Sequence, residues 1–442
     1  MTDLLAARMQ MAVSLGFHIV FACIGMVMPF LMAAAHWRYL KTGREIYKQL
    51  SLSWAKGVAI FFATGAVSGT VLSFELGTLW PEFMKHAGPI FGMPFSLEGT
   101  AFFIEAIALG IFLYGWGKIN RWVHFGSGIV VGISGVLSGI LVVAANGWMN
   151  SPTGFEGDLL SGNVYNIDPI AAMFNAAWFS QALHMTLAAF VATGFAVAGV
   201  HAFQLLKHPN SEFHRIAMTI AMIFGSVAAL LQPISGDISA KDVANRQPAK
   251  LAAMEAHFET EKGADLLIGG IPYEEEGVVR YGIHIPNALS FLAFGDFDAE
   301  VVGLNDIPKE EHPPVAVTHF AFQIMVGAGS LLMLLAVIFL WWRWRRKDIA
   351  WPGWFLKVLA AATPLGFIAV EAGWTVTEVG RQPWIIYGVM KTSEALTPMP
   401  GLVWSFGITT TVYVLLSLMV IWLMRRQIRV VNQSFEPANP KS

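Results

Sequence analysis

Histidine, glutamate and methionine side chains that could bind iron or carry protons lie within long apolar segments of this 442-residue sequence. The candidates are His18, Glu98, Glu105, His184, Met325, Glu371 and Glu378. A charged side chain inside a membrane-spanning segment costs roughly 3 kcal/mol on insertion scales, so each titratable candidate calls for a functional explanation. Two pairs are seven residues apart: Glu98 with Glu105, and Glu371 with Glu378. This spacing places both members of a pair on one face of a helix.

The chemistry that uses such a set is haem chemistry. Haem iron takes axial ligands from His and Met among other residues, and a His/Met pair fills both axial positions and raises the reduction potential. A single His or Glu leaves one axial position open, as an oxygen-reacting iron requires. Carboxylates within the membrane can relay protons. Each residue alone has an ordinary structural explanation, but their joint pattern indicates a redox membrane enzyme with two or three haems and a proton path.

Composition indicates the class of protein that must position these residues. Hydrophobic residues make up 55% of the sequence and charged residues 13%, whereas about a quarter of the residues in a soluble domain are charged. This composition indicates a polytopic membrane protein. The net charge of −2 argues against a nucleic-acid partner. The single cysteine, Cys23, excludes an internal disulfide framework, an iron–sulfur cluster and a CxxCH haem attachment.

Nine segments are long and apolar enough to cross a membrane, which takes about 20 residues of helix. The predicted spans are 11–35, 55–74, 95–116, 124–146, 176–206, 214–233, 316–342, 354–378 and 403–424. We therefore predict an all-α fold, a membrane helical bundle that forms one integral-membrane domain over residues 1–442. Lys and Arg concentrate in the connections on one side of this bundle and in the C-terminal tail. Because basic residues mark cytoplasmic loops, we predict an outer N-terminus and a cytoplasmic C-terminus.

The predicted outer side carries one long hydrophilic segment, residues 236–315. Loops of this length are uncommon and usually functional. Within the segment, AKLAAMEAHFE predicts a short amphipathic helix, because Leu251, Met254 and Phe258 recur at a helical spacing. The simplest role for the segment is a cap over the outer end of the bundle.

Several stretches resemble the large subunit, subunit I, of the cytochrome bd quinol oxidases. The most specific stretch is VEAGWTVTEVGRQPW, residues 370–384, which ends in GRQPW. Other similar stretches are MQMAVSLGFHIVFACIGMVMPF in the first span, FSLEGTAFFIEA in the third, VVAANGWMNSPTG at the end of the fourth, and QPAKLAAMEAHFET in the long loop. The resemblance covers nearly the whole chain, and nine spans with an outer N-terminus agree with it.

The resemblance implies a set of haem ligands. His184 and Met325 correspond to the axial ligands of a low-spin haem b, the first electron acceptor from quinol. His18 and Glu378 correspond to the ligands of two high-spin haems, a haem b and a haem d, or a further haem b in place of haem d. Family members differ in which of these two sites holds the oxygen-binding haem, and both assignments stay open. Copper is not expected, because the spans offer too few histidines at matching depth.

The resemblance also implies residues that handle protons and quinol. Glu98 and Glu105 correspond to carboxylates of the proton path, and Lys250 and Glu255 to residues of quinol oxidation in the loop. Three residues correspond to those that flank the haems, where Arg pairs with propionates: Arg8, Trp374 and Arg381. The chain departs from the family at Gln323, where many members carry Arg, and this change predicts a lower potential for the low-spin haem. It also lacks a long loop insertion and belongs with the short-loop forms.

The function that the resemblance implies is a terminal oxidase of the bacterial cytoplasmic (inner) membrane. It would oxidise membrane quinol near the outer face and reduce oxygen to water with protons from the cytoplasm, which generates proton motive force. A second multi-span subunit, subunit II, is the expected partner, with small single-span subunits as optional ones. One alternative is a non-catalytic haem-bearing electron-transfer anchor. Another is a secondary transporter, which would have broken helices at mid-membrane depth, whereas the spans here are predicted to be continuous.

Overall fold

The computed structural model describes residues 1–345 and 351–435. Over these ranges it is a helical bundle with short strands confined to the connections. The helices are α1 Asp3–Thr42, α2 Glu45–Leu79, α3 Pro81–Tyr114, α4 Arg121–Asn150, α5 Pro169–Met173, α6 Trp178–Lys207, α7 Glu212–Arg246, α8 Pro248–Glu255, α9 Ala288–Phe294, α10 Val315–Arg345, α11 Gly353–Ala361, α12 Leu365–Val379 and α13 Leu402–Phe435. The strands are β1 Glu156–Asp158, β2 Asn163–Tyr165, β3 Glu261–Lys262, β4 Leu266–Tyr273, β5 Val278–Ile285, β6 Glu300–Val301, β7 Trp384–Ile386 and β8 Met390–Lys391.

Nine segments of the described chain are long and apolar enough to cross a membrane, and they confirm the predicted all-α class and the nine spans. Eight of these segments each lie within a single helix. The remaining one, Gly353–Val379, is the eighth along the chain and combines α11 with α12. Consecutive helices joined by short connections pack most extensively, in the pairs α1 with α2, α3 with α4, and α6 with α7. Helix α1 also contacts α4, α6 and α13 and so occupies the middle of the bundle.

The eighth span differs from its prediction, because residues 362–364 interrupt it between α11 and α12. Pro364 has no N–H to continue the helical hydrogen bonds, and it disfavours helical geometry in the residue before it. Thr363 donates instead from its hydroxyl to the Ala360 carbonyl at 2.6 Å. Helix α6 packs closely here, since a Cβ on Gly199 would lie 2.2 Å from Thr363 Oγ1. The prediction of continuous spans was therefore wrong for this helix.

The connection between α7 and α10, residues 247–314, is called the long loop from here on. It begins later than the predicted residue 236, because α7 continues to Arg246 and is supported by the ion pairs Lys241–Asp237 and Arg246–Asp242 one turn apart. The loop contains α8, α9, the β4–β5 hairpin and the short β3–β6 pair. The predicted amphipathic helix is present as α8, with Leu251 and Met254 buried, but it ends at Glu255, so the predicted third position, Phe258, lies beyond it.

Candidate functional site

The two candidate histidine ligands have the same surroundings on different helices. His18 on α1 has its Nδ1 2.9 Å from Ser68 Oγ on α2, and this hydroxyl donates to the Thr64 carbonyl at 3.0 Å. His184 on α6 has its Nδ1 3.0 Å from Ser235 Oγ on α7. The Ser235 hydroxyl in turn donates to the backbone carbonyl one turn earlier, at 2.9 Å.

This arrangement suits one proton assignment on both rings. When each serine gives its one hydrogen to the backbone carbonyl, the imidazole Nδ1 is the donor toward the serine oxygen. The Nε2 atom of each ring then keeps its lone pair. At His184 the Gln232 amide nitrogen lies beside the ring, 3.2 Å from Nε2 and 3.4 Å from Nδ1. A histidine that donates from one ring nitrogen and presents the other as a lone pair has the usual form of a metal ligand.

Met325 lies on α10 and faces α12. A Cβ on Gly373 would lie 3.0 Å from its sulfur, so the glycine leaves room beside the thioether. The next residue, Trp374, packs against the buried cluster of α1, α6 and α12 that includes Cys23 and Val370. Helix α12 contacts both α10, which carries Met325, and α6, which carries His184. Both members of the predicted axial pair therefore lie on helices that pack against α12.

Glu378 lies in the last turn of α12 and accepts hydrogen bonds from two donors at 2.5 Å, the Asn146 side-chain amide from α4 and Arg381 Nη2. Arg381 is only 2% exposed, yet its Nε and Nη1 have no hydrogen-bond partner in the described part of the chain. Unpaired buried donors are costly. A guanidinium in this state suits a further carboxylate, such as a haem propionate. Arg8, the other predicted propionate partner, is half-buried near the start of α1.

A chain of hydrogen bonds joins the long loop to Glu378. Lys250 Nζ on α8 donates to Asn150 Oδ1 at 3.0 Å, and the Asn150 amide donates to Asn146 Oδ1 at 3.1 Å. Asn146 then donates to Glu378. Gln247 Nε2 also donates to Asn150 Oδ1, at 3.1 Å. The structure therefore brings together a predicted loop residue and a predicted ligand that are 128 positions apart in the sequence.

Lys250 and Glu255 are both buried, with 3% and 5% exposure. Desolvation and the nearby Arg381 charge, against the opposing effect of Glu378, lower the pKa of Lys250 to about 7. Burial raises the pKa of Glu255 to about 8, and its Oε2 has no hydrogen-bond partner among the described residues. Both groups thus titrate near neutral pH, where a group that exchanges protons during catalysis is most effective.

Glu98 and Glu105 project from α3 toward α4, as their shared helix face predicts. Glu98 accepts a hydrogen bond from Ser138 at 2.9 Å. Glu105 is buried, and its carboxylate lies 3.6 Å from the position of a Cβ on Gly135. Glu371 points elsewhere: its Oε2 lies 3.0 Å from the position of a Cβ on Gly16 of α1.

Sequence reasoning missed several polar partners of the site. Glu75 on α2 is buried and accepts from Gln10 of α1 at 2.8 Å, but it lies just beyond the predicted second span and was not among the candidates. Glu75 lies seven residues after Ser68, a spacing that places both side chains on one face of a helix and could have indicated it. Asn146 and Asn150 lie four residues apart at the end of the fourth span, a spacing that aligns their side chains on one helix face.

Comparison with known proteins identifies the family of this chain. The model of the cytochrome bd terminal oxidase subunit I family matches residues 6–431. The chain belongs to this family. It is 35% identical over 428 residues to the putative cytochrome bd menaquinol oxidase subunit I of Bacillus subtilis (strain 168), covering 96% of each chain. It is 31% identical to cytochrome bd ubiquinol oxidase subunit 1 of the same organism, covering 97% of this chain and 94% of the relative.

The solved structure of the bd oxidase from Geobacillus thermodenitrificans matches with a TM-score of 0.90 and 37% identity, over 97% of this chain and 98% of that chain. The resemblance predicted from sequence is thereby confirmed. As a member of the cytochrome bd family, the chain is a quinol oxidase subunit of respiratory electron transport and a multi-pass protein of the bacterial inner membrane. The family implies haem cofactors, a quinol substrate and a complex with subunit II. The residue roles stay predictions.

Proposed function

We propose that this chain oxidises a membrane quinol beneath the long loop and reduces oxygen to water at haems held within the bundle. The observation that carries the proposal is the shared geometry of His18 and His184. Each Nδ1 lies against a serine hydroxyl of the neighbouring helix, at 2.9 Å and 3.0 Å, and a ring that donates from Nδ1 presents its Nε2 lone pair to iron.

In this proposal His184 and Met325 hold a low-spin haem b, and His18 and Glu378 hold two high-spin haems. One of the latter is haem b and the other haem d or a further haem b, and no copper takes part. The bound haems supply electron transfer and a site where oxygen is reduced. The donor set fits these groups, since imidazole and thioether are haem ligands and the unpaired donors of Arg381 suit a propionate. Arg8 and Trp374 complete the surroundings of the haems.

Lys250 and Glu255 are proposed to act on quinol. Glu255 accepts a proton from the quinol hydroxyl, and Lys250 stabilises the developing anion. Their burial in α8 excludes water from these groups. The relatives named above include both a menaquinol and a ubiquinol oxidase, so we propose the quinol class as the substrate.

Glu98 and Glu105 are proposed to pass protons from the cytoplasmic side to the site of oxygen reduction. With the N-terminus outside and the long loop outside, quinol protons leave on the outer face while the protons for water cross most of the bilayer. Each elementary charge that crosses 100 mV is worth about 2.3 kcal/mol. This movement would generate proton motive force. Subunit II completes the complex, with small single-span subunits as optional partners.

Optical spectra of the purified complex test this proposal. His184→Ala should lose the low-spin haem signal in the reduced-minus-oxidised spectrum and keep carbon monoxide binding at the high-spin site. His124→Ala is the matched control, because His124 is also buried in the bundle but contacts the Phe112 carbonyl at 2.8 Å. A complex without colour, or an unchanged spectrum for His184→Ala, would refute the haem assignment. A haem-bearing complex that binds no carbon monoxide would instead support the non-catalytic anchor.

A further inference from the structure

Two side chains of α10 connect the long loop to the helix that carries Met325. His319 is fully buried, with its Nδ1 2.9 Å from the Met254 carbonyl of α8 and its Nε2 3.1 Å from the Gly269 carbonyl of β4. Gln323, one turn further along, donates from Nε2 to the Leu267 carbonyl and accepts the Gly269 N–H, both at 3.0 Å. A histidine and a glutamine thus contact three backbone positions of the loop.

The backbone of β4 is shaped for these contacts. Gly269 has a φ of +70° and Gly270 a φ of +95°, conformations that glycine adopts without steric cost. The paired register between β4 and β5 includes Gly269 with Gly282 and resumes at Ile271 with Arg280, so the pairing is interrupted between them. The N–H and C=O of Gly269 both face α10, where they contact Gln323 and His319.

The residue type at position 323 matches this backbone. A glutamine side chain offers an acceptor and a donor, and here the Gly269 N–H uses the first and the Leu267 carbonyl the second. An arginine, the residue of many family members at this position, has donors only and could not accept the Gly269 N–H. The departure from the family pattern is therefore explained by how the loop binds to α10.

The same region holds the proposed quinol residues. Met254, whose carbonyl contacts His319, directly precedes Glu255 at the end of α8. Lys250 lies against the end of the α12 segment, where a Cβ on Gly380 would be 3.1 Å from Lys250 Cγ and 3.2 Å from Thr318 Cγ2 of α10. Helix α8 therefore rests on α10 and on the end of α12.

We propose that His319 and Gln323 are positioning residues for quinol oxidation. They hold α8 and β4 on α10, so that Lys250 and Glu255 keep a fixed relation to the helix of Met325. This inference rests on the proposed function. Neither side chain is assigned contact with quinol or haem, and both act through the loop backbone.

The test uses the complex with subunit II and compares two variants. His319→Phe removes the imidazole that lies between the Met254 and Gly269 carbonyls, and Gln323→Leu removes both side-chain hydrogen bonds of the amide. Gln323→Glu is a milder variant, because it keeps the acceptor for Gly269 and loses the donor for Leu267. His312→Phe is the matched control: His312 Nε2 lies 2.9 Å from the Ile307 carbonyl, a contact within the loop that does not involve α10. The measurements are KM and kcat with a short-chain quinol, oxygen uptake with a small soluble one-electron reductant, haem spectra and limited trypsin digestion.

We expect the KM for quinol to rise about tenfold in His319→Phe and Gln323→Leu, and less in Gln323→Glu. Trypsin should cleave the loop faster at its exposed basic residues, Lys262, Arg280 and Lys309. The low-spin haem spectrum and oxygen uptake with the soluble reductant should be unchanged. His312→Phe should behave as the wild type in each measurement.

Wild-type KM and wild-type protease resistance in both variants would overturn the positioning role. An equal loss of quinol and soluble-reductant activity together with the haem spectrum would also overturn it, because the effect would then lie in the bundle and not in the loop. If Gln323→Leu does not assemble, a wild-type KM in both Gln323→Glu and His319→Phe would likewise overturn the positioning role. Failure of the proposed function would look different, since the wild-type complex itself would then lack haem spectra or quinol oxidation.

Discussion

Replacing Lys250 by methionine should stabilise the protein and abolish quinol oxidation, with a characteristic dependence on pH. The pKa of this buried ammonium is about 7, compared with 10.5 for an exposed lysine. A lowered pKa means that folding disfavours the charged form. The resulting cost is fully present below pH 7 and fades as the pH rises toward 10.5.

The size of this effect follows from the two pKa values. Each factor of ten in proton affinity corresponds to about 1.4 kcal/mol. Burial of Lys250 therefore costs about 5 kcal/mol at pH 6, where the buried group is charged, and about 2 kcal/mol at pH 9, where it loses its proton on folding. The variant also loses the hydrogen bond to Asn150, which contributes roughly 2 kcal/mol from the charged donor at pH 6 and roughly 1 kcal/mol from the neutral donor at pH 9. Asn150 Oδ1 keeps its bond from Gln247 at 3.1 Å. Lys250→Met should therefore gain about 3 kcal/mol of unfolding free energy at pH 6 and about 1 kcal/mol at pH 9.

Thermal unfolding of the purified complex, followed by tryptophan fluorescence at pH 6 and pH 9, measures this difference. Lys250→Met should have a higher Tm than the wild type at pH 6, with a gain that shrinks at pH 9. Glu255 is present in both proteins, so its own titration cancels in the comparison. Lys262→Met, a substitution of an exposed lysine in the same loop, is the control and should change Tm little. A lower Tm at pH 6, or the same increment at both pH values, would refute the reasoning.

Two further substitutions test the interior of the bundle. Glu105→Gln should leave the haem spectra largely intact and slow oxygen reduction, because it removes a proton carrier and preserves the shape of the side chain; full oxidase activity would exclude the relay role. Asn146→Leu should remove the 2.5 Å hydrogen bond to Glu378 and change the high-spin haem spectrum while the low-spin signal of His184 and Met325 stays as in the wild type. A change confined to the low-spin signal would contradict the assignment of Glu378.

The fold could be predicted from the sequence because membrane helices depend on local properties. Each span needs a run of about 20 apolar residues, and that run is visible without any knowledge of its neighbours. The interruption of the eighth span was missed although Pro364 was visible, because prolines within spans are commonly tolerated. Pro29 and Pro233 do lie inside continuous helices here.

The candidate site was only partly predictable, because its hydrogen bonds join distant parts of the chain. The residue types of His18 and His184 were informative alone, but the serines that bind them lie 50 and 51 positions away. The bond from Lys250 to Asn150 spans 100 positions. The β4–β5 hairpin was also missed, since the pairing of its strands skips Gly270 and the strands lack a clean alternation of buried and exposed residues.

The serine contacts of His18 and His184 have a consequence for how the protein matures. Both rings are oriented by hydroxyls that are themselves bonded to the backbone of a neighbouring helix, so their rotamers are set by folding of the polypeptide. Immobilising a free side chain on binding costs about 0.5–1.5 kcal/mol. For these two side chains that entropy is lost when the helix pairs form. A porphyrin that binds afterwards therefore finds both imidazoles already oriented. Cofactor insertion would therefore follow helix pairing in the order of assembly.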